Sequence, residues 1–247
     1  MSDNACSQCD NVMSKCPLLI LALLLAVVAN AQMLQGQAPK RRVDAIRPIL
    51  QVLDGLGVSG SIEFTGATCK ADRLPEFPKF KDIVSDTPSV QQLRDMFAIN
   101  AAMNVSQDAD GTVRMVEADV PSDILNVRIR EVRFESPYSY YPNAALERVV
   151  LQAPGFKEFL RDHGINWPFN RDWGFSALGN PYPAPEWPHV SGSLYDMKLS
   201  QLLDYIVRGF PGIWMYENCP QDRTRGRTVW IQTVHYKHHG SNMLVLQ

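Results

Sequence analysis

An uncharged run from Cys16 to Ala29 decides where this chain folds, and therefore which forces are available to hold it together. The run closes on Ala29-Asn30-Ala31, the small-x-small pattern that a signal peptidase cuts. A helix rises about 1.5 Å per residue, so about 14 residues reach about 21 Å. A bilayer's hydrocarbon core is about 30 Å thick and takes about 20 residues. The run suits the apolar core of a signal peptide better than a spanning helix, and no second run of that length follows. Cleavage after Ala31 is expected, with an uncleaved signal anchor as the alternative. Counted from Met1, the segment ahead of the run holds Asp3, Asp10 and a single Lys15. Counted from Met13 it is short and basic, as export requires. We therefore expect translation to start at Met13, which leaves Cys6-Ser7-Gln8-Cys9 without a role. The expected destination is the periplasm or the medium, with no membrane span left after cleavage.

Export changes the reading of the cysteines. Cys69 and Cys219 remain in the mature chain, and an oxidising compartment favours joining them. Such a bridge would close a loop of roughly 150 residues, worth about 4–5 kcal/mol on the chain-entropy account. Two separately buried thiols are the alternative. The formal charge of −2, from 24 basic and 26 acidic residues, offers no electrostatic case for nucleic acid or an acidic membrane surface.

Residues 32–43 form a polar, basic leader containing Pro39-Lys40-Arg41-Arg42, expected to be disordered. From residue 44 to 164 the pattern is that of an α+β domain. Ile46 to Leu53 carries apolar residues at helical spacing, ended by Gly55 and Gly57. Val58, Gly60, Ile62 and Phe64 then alternate as on one face of a strand. Residues 74–88, broken by Pro75, Pro78 and Pro88, read as an ordered irregular loop. A helix is expected over 90–97, and strands over 103–107 and 112–117 with a hairpin turn at Asp108-Ala109-Asp110-Gly111. That turn resembles the start of a calcium loop, but the remaining ligands are not at the required spacing. Residues 123–134 read as one long strand whose alternation slips at Arg130-Glu131, a bulge or a sharp bend. Asn143 can cap a helix through Leu151, and Pro154 opens another that Gly164 stops. Residues 165–188 mix six aromatics with prolines, a connector too apolar for free disorder.

Residues 189–247 read as a β-α-β-β module. A strand at 190–194 is followed by Leu199, Leu202, Leu203, Ile206 and Phe210, one apolar helix stripe, and then by strands 212–219 and 227–236. The stretch Ser193-Leu194-Tyr195-Asp196-Met197-Lys198-Leu199 through Ile206, with the two strands after it, resembles the short N-terminal module of secretins and TonB-dependent receptors. The resemblance covers about a fifth of the chain. It departs at Lys198, where that family usually has a capping Ser or Thr, and at the bulky Trp214-Met215-Tyr216. It implies a partner-protein binder, using sheet edges or the helix face and carrying no catalytic residues. The order strand, helix, strand over residues 123–167 suggests a diverged second copy. The expected fold class is α+β, with small mixed sheets each covered by helices on one face.

Chemistry-bearing patterns are sparse. The chain has no Gly-x-Ser-x-Gly elbow, His-Glu-x-x-His or phosphate-binding glycine loop, and no catalytic residue or cofactor is assigned. The metal candidates are His235, His238 and His239; strand alternation would put His235 and His239 on one face. Two or three imidazoles fall short of a closed structural zinc site, and Lys237 between them disfavours a cation. Trp167, Trp173 and Trp187 are the aromatics that a glycan or peptide would stack on. Two functions are therefore carried forward: an exported non-catalytic module that binds an envelope or secreted protein, and a glycan or peptide binder using residues 167–187. An unrecognised hydrolase is a further alternative.

Overall fold

Alternation along a strand buries one face and is silent about the other; in this protein the central strands are covered on both. The computed structural model describes residues 45–66, 77–134, 145–151, 153–166, 190–222, 226–239 and 242–246, in a compact unit that starts at Ala45. The fold is α+β. Its large sheet is mixed and seven-stranded, and is built from β1 (Gly60–Thr65), β2 (Met103–Gln107), β3 (Val113–Glu117), β5 (Ile165–Asn166), β7 (Gly212–Asp222), β8 (Gly226–His239) and β9 (Asn242–Leu246). The order is β2-β3-β1-β7-β8-β5, with β9 pairing on β8. A separate antiparallel ribbon joins β4 (Arg128–Arg133) to β6 (Ser193–Lys198).

One face of the large sheet is covered by α1, residues 45–56, and α2 (Val90–Phe97). Ile46, Ile49, Leu50 and Leu53 of α1 pack with Leu93, Met96 and Phe97 of α2 on Ile62, Phe64, Met115, Ile213 and Val234. Gly57 ends α1 at φ +66, a left-handed position that a side chain rarely occupies. The Gly57 N–H donates to the Asp54 carbonyl (2.9 Å) and the Val58 N–H to Leu53 (3.1 Å), the paired bonds of a Schellman stop. The irregular segment from residue 77 to 88 is held by an edge-on aromatic series, Phe64–Phe77 at 5.6 Å and Phe77–Phe80 at 6.0 Å. Ser89 caps α2 by accepting the Gln92 N–H (3.1 Å).

The other face carries α4 (Leu199–Gly209), whose Leu202, Leu203 and Ile206 share a core with Trp214, Tyr216, Val229 and Ile231 of the sheet. The same core takes in Ile129 and Val132 of β4, and Phe156 of α3 (Pro154–Asp162). It also holds Leu146 and Val150 from a π-helical turn, Ala145–Val150. At Lys198, where a capping Ser or Thr was missed, the Lys198 N–H donates to the Gln201 side chain (2.9 Å).

Three expectations change. Residues 123–134 are not one strand: Ile124–Asn126 is a 3-10 turn, because the Asn126 N–H donates back to the Ser122 and Asp123 carbonyls (both 3.1 Å). The slip at Arg130-Glu131 is present. Ile129 and Val132 are buried while Arg130 and Glu131 are exposed, and Asp196 opposite Arg130 turns left-handed at φ +51. The strand expected at 190–194 is displaced to Ser193–Lys198: Gly192 sits at φ +97, where the extended backbone breaks.

The third change concerns the C-terminal module. Its order β6-α4-β7-β8 is present, but β6 pairs with β4, and β7 lies between β1 and β8. The boundary expected at residue 188 therefore does not divide the sheet. Of the suggested repeat, the first strand, β4, lies in the ribbon with β6, and the last, β5, lies in the large sheet beside β8. No helix among the described residues is long and apolar enough to cross a membrane. The segment expected to be an export signal, the leader 32–43, Asn143 and most of the connector 165–188 lie outside the described residues.

Candidate functional site

On β1 the residues between the core positions are Ser61 and Glu63, and register places them beside Arg114 and Val116 of β3 and Trp214 and Tyr216 of β7. This is the face that α4 covers. Asp204 projects from α4 into it and is 6% exposed, so its charge must find partners locally. Its oxygens accept two bonds from Arg114, Nη1 at 2.7 Å and Nη2 at 2.6 Å, and one from Trp214 Nε1 at 2.8 Å. Arg114 also donates through Nε to Asp108 (2.8 Å) and through Nη1 to Ser61 Oγ (3.4 Å). Its guanidinium carbon lies 5.7 Å from the Trp214 ring centroid. Burial works against the Arg114 charge, yet Asp204 and Asp108 outweigh it and hold the guanidinium above its ordinary pKa. One turn along α4, Arg208 pairs with Asp110 of the hairpin turn.

Glu63 lies in this cluster with no hydrogen bond to it among the described residues. Burial pushes its carboxyl up to about 7; Arg114 pulls it down, while Asp204 and Asp108 push it further up. A second network adjoins it. Arg227 donates to both oxygens of Asp123 (2.6 and 2.7 Å), to Asn218 Oδ1 (2.6 Å) and to the Tyr216 hydroxyl (2.8 Å). Tyr216 in turn donates to the Pro121 carbonyl (2.8 Å). Burial raises the Tyr216 phenol to about 12, so it stays neutral at physiological pH.

Comparison with protein-family models, curated proteins and solved structures finds no match.

The residues singled out from sequence are not drawn together. His235 is 2% exposed on β8. Its Nδ1 carries the proton, since it donates to the Phe210 carbonyl (2.6 Å) and a carbonyl can only accept. Burial pushes its pKa down to about 4, so the ring is neutral and committed to the core. His238 and His239 continue β8 opposite Met243 and Asn242 of β9. Among the described residues no three His, Cys, Asp or Glu side chains are grouped to hold a metal. The hairpin acids are taken by arginines and the turn itself: Asp108 by Arg114, Asp110 by Arg208 and the Thr112 N–H. Cys219 is fully buried on β7 and disulfide-bonded. Cys69, Trp167, Trp173, Trp187, Ala29 and Ala31 lie outside the described residues.

The Arg114–Asp204 cluster was missed because its members are far apart in sequence. The one local signal was Asp204 itself, an acid in an otherwise apolar helical run. Four of the five donors of Arg114, and four of those of Arg227, are engaged with other residues of the chain. The arrangement thus clamps the β2–β3 hairpin to α4, and Glu63 is the group left free to exchange a proton near neutrality.

Proposed function

We propose that this chain is an exported, non-catalytic module that binds an envelope or secreted protein by strand addition at β2. The observation that carries the reading is the composition of that edge. Among the described residues β2 pairs with β3 alone. Its sequence, Met103-Asn104-Val105-Ser106-Gln107, contains neither charge nor proline. Natural edge strands are usually blunted by such residues, and an unblunted one is a template for a partner strand. The cover on this edge is a side chain: Arg94 Nε of α2 donates to the Val105 carbonyl (3.1 Å). An incoming strand would take that carbonyl over. The order β6-α4-β7-β8, which carries the resemblance to secretin and TonB-dependent receptor modules, supports the same class of function. So does the mutual saturation of Arg114, Asp204 and Asp108.

The test is affinity capture from envelope extracts, comparing the wild type with two variants. Asn104→Lys combined with Ser106→Lys places charges on exposed positions of the edge and should abolish capture of the specific partner. Arg94→Ala uncovers the Val105 carbonyl and should strengthen it. Equal capture by all three proteins sinks strand addition at β2.

We also infer that Cys69 is the cysteine joined to Cys219. The Gly66 N–H donates to the Asn218 carbonyl (2.9 Å) at the end of the parallel β1–β7 pairing, which brings the chain level with Cys219. Cys69 is three residues further on, within about 10 Å of extended chain.

A further inference from the structure

The cluster beside α4 is unbalanced in charge. Asp108 and Asp204 hold the guanidinium of Arg114, and a third carboxyl, Glu63, follows on the same face of β1 two residues after Ser61, whose hydroxyl Arg114 also reaches. Four of the five Arg114 donors are already engaged with Asp204, Asp108 and Ser61. Arg208, the next cation, is taken by Asp110. From β7 the group facing Glu63 is Tyr216, a neutral phenol, and behind it the Arg227 charge is matched by Asp123. From β3 it faces Val116, which brings no charge. An ionised Glu63 therefore competes with Asp204 and Asp108 for one arginine, whereas a protonated Glu63 leaves the clamp undisturbed.

We propose that Glu63 is a proton-operated latch on the clamp between α4 and the β2–β3 hairpin, closed when the carboxyl holds its proton and loosened when the proton leaves. The device stands apart from strand addition at β2, since it rests on the cluster alone. It gives an exported protein, with no cytoplasm to buffer it, a structural response to the pH around it. The elements it loosens are α4, through Asp204, and the hairpin, through Asp108 and Arg114.

A carboxyl whose folded pKa lies above its unfolded value binds its proton more tightly in the folded state. The stabilisation is complete below the unfolded value of 4.5 and is lost as pH rises through about 7. His235 titrates in an overlapping window with the opposite sign, so the wild-type curve alone is not the readout. The experiment compares urea unfolding of wild type and Glu63→Gln from pH 4.5 to 8.5. The ratio of the two folding constants should change on the order of a hundredfold across that range, in favour of Glu63→Gln at high pH. Amides of α4 and of residues 103–117 should exchange faster above pH 7 in wild type, after correction for intrinsic rates, and not in the variant. Parallel pH profiles for the two proteins overturn the latch. Should Glu63→Gln fail to fold, carboxyl NMR of wild type decides: a Glu63 midpoint near 7 supports the proposal, and one near 4.5 refutes it.

Discussion

Replacing Asp204 by Ala tests whether the clamp holds α4 on the sheet. Asp204 is 6% exposed and accepts three hydrogen bonds. Its loss takes the acceptor from three N–H donors on two side chains. Trp214 Nε1, on a fully buried ring, would have no acceptor, at a cost of about 1–3 kcal/mol. Arg114 would keep Asp108, and its side chain is 16% exposed, so water relieves part of its charge. Breaking a buried ion pair by removing one partner costs about 3–5 kcal/mol; that residual pairing places this case at the lower end, about 3 kcal/mol in all. For a unit of this size the melting temperature should fall by about 6–12 °C. Two controls divide the effect. Trp214→Phe removes the indole N–H, at about 1 kcal/mol, and adds the packing loss of a smaller ring in a buried site. Arg114→Met combined with Asp204→Leu removes both charges and should recover most of the loss, because a buried pair is often no better than an apolar one. Urea unfolding followed by tryptophan fluorescence, with m-values checked for constancy, gives all four numbers. A cost below about 1 kcal/mol for Asp204→Ala, or a double variant as unstable as the single one, would show that the pair does not hold the helix.

Three further outcomes are expected of the same fold. Gly212→Ala should destabilise by about 2 kcal/mol or more, since a Cβ there would lie 2.2 Å from the Val234 carbonyl oxygen and 2.8 Å from His235 Cα, backbone atoms that cannot move without parting β7 from β8; a normal melting temperature would contradict this. His235 is held neutral, so its stabilisation is present above pH 6.5 and is lost as pH falls through about 4; His235→Gln should remove about 3 kcal/mol of that acid-side fall, measured as the difference between unfolding curves. Non-reducing mass spectrometry of the protein, purified with its thiols blocked, should yield a peptide pair joining Cys69 to Cys219, and two free thiols would exclude the bridge.

How far the sequence could be read depended on whether a segment's partners were local. The limits of α2, Val90 to Phe97, and of β2, Met103 to Gln107, were legible in full. Ser89 caps the helix, apolar residues mark its face, and the hairpin turn fixes the strand's end. The α4 stripe was legible for the same reason, with Phe210 as its last member. β6 was misplaced because its register is set by β4, which lies more than 60 residues earlier and carries an irregularity of its own. The 3-10 turn at Ile124–Asn126 was hidden behind a pattern that also fits a strand, and main-chain bonds back to Ser122 and Asp123 decided between them.

The candidate site was illegible for a deeper reason. Alternation in β1 shows that Ile62 and Phe64 face a core, and the natural inference is that Ser61 and Glu63 face water. That inference holds only when nothing packs on the second face. Here α4 packs on it, from 140 residues further along, and Ser61 is 0% exposed. The same reversal applies to Arg114, which alternates with Val113 and Met115 like a solvated residue yet binds Asp204, 90 positions away. Asp204 itself lies beside the apolar stripe of α4, where a helix meant only to bury hydrocarbon would carry none of the cost of a desolvated carboxylate. An acid on the flank of such a stripe, together with a strand whose polar face holds both a glutamate and a neighbouring arginine, is the pattern of a polar layer between helix and sheet. It becomes recognisable only when the strand order is known. Sequence periodicity reports the depth of one face at a time, and the chemistry of this protein is concentrated where two faces meet.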